Sequence, residues 1–201
     1  MQPPHENWRC QIMLCTLRTF SYWLLIAGFL SGCSQPVIGG FDYAPQYDFS
    51  EFFMVADGKP FRVILSGNPF IGVSDEDEKR LLLPVMQANR PRPRLTFTYE
   101  TPADEPHPNY RVAIVFNAAN DLTAARVCAG QIRHKAVPPG GRFDVFGVYC
   151  RNDLALSQAV TSMAASGPED PRLGQMFRQL FLVLFPEYPL FWQTRGPFFM
   201  R

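Results

Sequence analysis

Residues that commonly carry catalysis or bind metals are scarce in this chain. It has three histidines and five cysteines in 201 residues. It contains no C-x-x-C pair, no H-E-x-x-H, no G-x-S-x-G elbow and no phosphate-binding glycine loop. Those absences remove the usual zinc modules, metalloproteases, α/β-hydrolases and nucleotide-binding loops from consideration. Lysine is nearly missing as well, at three of nineteen basic residues against eighteen acids. A balance this even leaves no basic footprint, so no nucleic-acid partner is expected. Nor is there a run of about 20 apolar residues of the kind that spans a bilayer.

What is present begins with a shorter apolar run. Phe20–Leu30 (FSYWLLIAGFL) is eleven residues without a charge, preceded by Arg18. That is the length of a signal-peptide core rather than of a membrane span. It ends in Leu30-Ser31-Gly32-Cys33, which resembles a bacterial lipobox. The resemblance covers residues 13–33 and implies that Cys33 carries a diacylglycerol thioether and becomes the first mature residue. Residues 1–12 hold Glu6, His5 and two prolines, which fit poorly before a signal, so translation from Met13 is an alternative start. Other readings of the segment are an uncleaved membrane anchor or a buried core helix. Ser34 follows the cysteine where lipoproteins retained at the inner membrane of many Gram-negative bacteria typically carry Asp. The resemblance therefore implies an outer-membrane lipoprotein facing the periplasm.

Cleavage before Cys33 would leave 169 residues with seventeen basic and seventeen acidic side chains. That is one domain's worth of chain, and aromatics at 14% are ample for a core. Cys10 and Cys15 would be discarded and Cys33 lipidated. Cys128 and Cys150 then remain as a pair in a compartment where disulfides persist, and they are expected to be bonded. Two free buried thiols are the alternative.

Residues 33–58 have no clear hydrophobic period and read as a tether whose aromatics dock on the domain. The domain itself is expected over 59–186. Pro60–Gly67 alternates as a strand, with Phe61, Val63 and Leu65 inward. Ser74 caps a helix whose first turn holds Asp75, Glu76, Asp77 and Glu78, where the helix dipole favours acids. Pro84 predicts a kink. Arg90-Pro91-Arg92-Pro93-Arg94 is an extended linker. Residues 95–100 and 110–117 read as an antiparallel hairpin with a long connection, and 125–129 as a short strand. Residues 142–151 are apolar on both faces, as a central strand covered on both sides would be. Residues 154–163 lean toward a strand paired with it. Asp170 and Pro171 open a helix with Leu173, Met176, Phe177, Leu180, Phe181 and Leu184 at helical spacing. Residues 187–201 form an aromatic tail containing Trp192. This order predicts an α+β fold, with an antiparallel sheet of four to five strands and two helices packed on one face.

No catalytic constellation emerges from the pattern, and neither cofactor nor metal is expected. His107 and His134 lie in loops beside prolines or charges. Candidate contacts are Asn68 in a loop after the first strand, Arg90, Arg92 and Arg94 for an anionic partner, and Trp192. The expected role is accessory or structural: a lipid-anchored envelope domain docking on an envelope complex. The alternatives are a periplasmic module that binds a small molecule or glycan, and an envelope enzyme.

Overall fold

The computed structural model describes residues 36–101, 110–138 and 140–188. They form one six-stranded mixed sheet with four helices: β1 Val37–Tyr43, α1 Phe49–Ala56, β2 Pro60–Ser66, α2 Asp75–Ala88, β3 Thr96–Thr98, β4 Tyr110–Phe116, α3 Ala124–Cys128, β5 Arg142–Arg151, β6 Leu154–Ala164 and α4 Arg172–Leu184. The strand order is β1-β6-β5-β4-β2-β3. The leader (residues 1–32), Cys33 and Trp192 lie outside the described residues.

The expected purely antiparallel sheet is corrected. β3 and β4 do not pair as a hairpin; each pairs with β2, in parallel, on opposite edges. Parallel neighbours usually need a long crossover. Here β3 has three residues, and Thr98 and Arg111 both align with Arg62. The connection therefore travels little along the strand direction before β4 begins. The other half of the sheet is antiparallel, with β5 paired to β4 and β6, and β1 to β6. β5 and β6 are joined through Asn152 and Asp153, with Asn152 at φ 52, a conformation asparagine tolerates in tight turns.

The tether expected over 33–58 is also corrected, because from residue 37 it builds β1 and α1. Asp48 caps α1, its carboxylate accepting from the Ser50 N–H at 2.8 Å. Phe52 and Ala56 are wholly buried. The Tyr43 and Tyr47 hydroxyls donate to the Val183 and Pro186 carbonyls at 2.8 and 2.9 Å, and Ser157 donates to the Leu184 carbonyl at 2.6 Å. These bonds satisfy carbonyls that the C-terminus of α4 leaves without helical partners.

Helices cover both faces of the sheet, not one. On the first face α1, α2 and α4 bury a continuous core with Phe61, Val63, Ile114, Phe143, Val145 and Tyr149. α4 passes so close over β5 that a Cβ on Gly147 would stand 2.8 Å from Leu184 Cδ1. On the second face Phe146, Val148 and Cys150 pack with Ala113, Val115 and α3. The segment expected as a strand around Cys128 is this short helix, capped by Thr123. The two-faced reading of 142–151 corresponds to these two clusters. α2 runs through Pro84, which is exposed, on the side where a missing N–H bond can be tolerated.

Candidate functional site

The C-terminal ends of parallel strands commonly gather ligands, because loops diverge there. At the end of β2 stand Ser66, Gly67 and Asn68. Asn68, expected as a ligand contact, is fully occupied by its own loop. Its amide donates to the Val73 carbonyl at 2.8 Å and to Asp75 Oδ1 at 3.2 Å, and its oxygen accepts from the Phe70 N–H at 2.9 Å. It therefore braces a strand-ending turn. Beside it the Ser66 hydroxyl lies 3.1 Å from His134 Nε2, and His134 Nδ1 lies 2.9 Å from the Phe116 carbonyl. With the proton on Nδ1 donated to that carbonyl, Nε2 accepts from Ser66. That is the arrangement of a serine–histidine pair with a carbonyl as orienting group. Neither side chain lines any of the clefts described below, so the pair has no cavity for a substrate. Its evident work is to pin the 131–138 segment to β2. Gly67, at φ 80, must be glycine because a Cβ would stand 2.8 Å from the His134 ring.

The arginine linker fares differently. After α2, residues 89–92 meet α4 and the start of α1 around a groove of about 320 Å³. Arg90, Arg92 and Arg178 line it with Phe49, Leu182 and Phe185. Leu182 is 61% exposed, and Glu187 is the acid on the rim. Arg90 donates to the Gln87 carbonyl at 3.1 Å, and among the described residues no carboxylate pairs with any of the three arginines. Arg94 does not line the groove; its backbone N–H donates to Asp57 Oδ1 at 3.2 Å. The structure thus unites Arg90 and Arg92, leaves Arg94 apart and adds Arg178, which the sequence reading missed. The available signal was a charge and a leucine at i and i+4, 178 and 182, on the outer side of an otherwise buried helix.

A wider cleft, of about 470 Å³, lies on the second face where α3 stops short of β6 and β1. Its walls include Asn120, Phe146, Gln158 and Val160, together with an ion pair between Lys135 and Asp144. At the margin of the same face, Cys128 and Cys150 are joined, with sulfurs 2.02 Å apart. The guanidinium of Arg111 donates to the Cys128 carbonyl. Burial, and then the neighbouring Arg62, hold the Arg111 pKa below its ordinary value.

Among the described residues, no cluster of three metal-ligating side chains occurs, and no helix is long and apolar enough to cross a membrane. Compared with protein-family models, curated proteins and solved structures, the chain matches none.

Proposed function

We propose that this chain is a lipid-anchored protein of the bacterial cell envelope, held by Cys33, whose domain docks an anionic partner of an envelope assembly through the groove of Arg90, Arg92 and Arg178. The observation that supports the envelope reading best is the bond between Cys128 and Cys150. A cytosolic protein would rarely keep such a bond. The docking reading is supported by three guanidiniums gathered beside exposed Leu182 without a carboxylate to neutralise them. Guanidiniums recognise carboxylate and phosphate in a bidentate manner.

Replacing Cys33 with Ser tests the anchor. The wild-type protein should co-sediment with outer membranes and carry the added mass of acyl chains. The Cys33→Ser protein should lose both properties. Identical mass and fractionation in the two proteins would sink the reading.

The second-face cleft favours a different role, binding of a small polar molecule or glycan. It sets amide and charged groups beside an aromatic ring, a combination that recognises polar ligands. Stabilisation of the purified domain by soluble glycan fragments, abolished by Gln158→Ala, would favour that role over docking.

A further inference from the structure

The two ends of the sheet differ in what they expose. β1 begins at Val37, paired with Ser162 near the end of β6. Ala164 of β6 in turn faces Arg142, the first residue of β5. β4 and β2 finish at this same end, with Phe116 and Ser66. The loops after β2, before β5 and after β6 therefore open together there. Two of them carry apolar side chains with little protein cover. Ile71 is 90% exposed and Val137 is 41% exposed. Both line one shallow cleft with Pro69, Pro138 and Gly141.

Chain length links this end to the bilayer. Four residues separate Cys33 from Val37, and an extended chain spans at most about 3.6 Å per residue, so about 14 Å. A lipid on Cys33 holds the start of β1 within that distance of the headgroup layer. The far end of the sheet stands further out by the length of a seven-residue strand, roughly 23 Å.

We propose that the end of the sheet where β1 begins faces the membrane, with Ile71 and Val137 entering the headgroup layer of the lipid bilayer. This rests on the anchoring of Cys33 proposed above. Charge does not drive the contact. Arg142 donates to the Ser162 hydroxyl, and Lys135 is paired with Asp144. The acids Asp75, Glu76 and Asp77 of α2 begin at this end too. Attachment comes from the acyl chains and two apolar loop tips, and it should be indifferent to anionic lipid. The competing orientation lays the β1 edge flat on the bilayer, which would bring down Phe41, 44% exposed on that edge.

The test uses acylated protein with Trp192→Phe, so that each added tryptophan reports alone. Ile71→Trp, Phe41→Trp and Leu182→Trp are made singly. Each protein is placed in phosphatidylethanolamine vesicles containing brominated lipid, with and without phosphatidylglycerol. Mass spectrometry first establishes the acylated Cys33. Loss of fluorescence at residue 71, a blue shift there, and neither effect at 41 or 182 is the expected result in both vesicles. Quenching at 41 or 182 instead of 71, or at none of them in acylated protein, overturns the orientation alone. A chain without the lipid mass overturns the anchor and the orientation with it.

Discussion

Glu78 is the side chain most out of place in this fold. It is 2% exposed on the core side of α2, and its Oε1 has no hydrogen-bond partner among the described residues. Burial first, and then Asp75, push its carboxyl up to about 8, with Lys79 opposing. The folded state therefore holds a proton that the unfolded state releases at the ordinary carboxylate value. Glu78 costs little stability below that value; its cost grows as pH rises toward 8 and levels off beyond it. Asp170, kept below the ordinary range by its bonds to Arg172, stays charged throughout this window and does not mask the effect. Urea melts should show wild-type stability falling between pH 5 and 8. Glu78→Gln should flatten that slope and gain a few kcal/mol at pH 8, since one pKa unit is worth about 1.4 kcal/mol. An unchanged slope would show that the carboxyl is solvated.

Tyr149 is a second anomaly of the same kind, a wholly buried hydroxyl without a partner among the described residues. Its ring is what the fold uses. Phe52, Phe61, Tyr110 and Phe185 stand around it at centroid distances of 5.1 to 6.3 Å. Edge-on and offset contacts of this kind add to burial. Alternation along β5 placed Tyr149 with Phe143 and Val145 from sequence alone. That its hydroxyl lacks a partner could not be read there, because the surrounding rings come from three other elements.

At the scale of elements, legibility followed local signals. β2, α2, β5 and α4 each carry a period, a cap or both, and all were readable. α1 had a usable signal too, since Asp48 and Glu51 have capping-box spacing. Glu51 is drawn away from the cap to pair with Arg151 at 2.7 Å and to accept from the Tyr110 hydroxyl. β1 was illegible because Gly39 and Gly40 interrupt its alternation, and its register shifts at that point. α3 has five residues, too few for a helical period to show, and its place is held by the bond to β5. The loop-entropy model assigns about 3 kcal/mol to a bond closing this separation of 22 residues. Cys128→Ala with Cys150→Ala should lower stability by about that much in denaturant melts. The loss should be concentrated on the second face, with early hydrogen exchange at residues 117–135 and slower exchange retained under α4. Uniform loss of protection would mean that α3 is integral to the main core.

For the whole molecule, the two ends of the sheet have separate roles in the proposals made here. The end where β1 begins carries Ile71 and Val137, and the opposite end carries the arginine groove. A membrane-anchored domain so placed presents the groove outward, toward soluble partners. Arg90→Glu, Arg92→Glu and Arg178→Glu together should leave the melting temperature almost unchanged, because exposed substitutions typically move stability within about 0.5 kcal/mol. The same triple variant should lose the envelope proteins that co-purify with the wild type. Retention of all of them would exclude the groove as a docking surface.

Sequence by itself determined the local periods, the caps, the two apolar faces of β5 and the candidate pairing of Cys128 with Cys150. These depend on spacing along the chain, which composition and periodicity record directly. Only the tertiary structure decided that β3 and β4 both run parallel to β2, that residues 37–56 belong to the core, and that Arg178 joins Arg90 and Arg92. It also turned Asn68 from a ligand candidate into a brace. Each of those outcomes depends on which distant segments share an edge or a face. The free energy that selects them comes from burying those segments against one another, and no single stretch of the chain contains it.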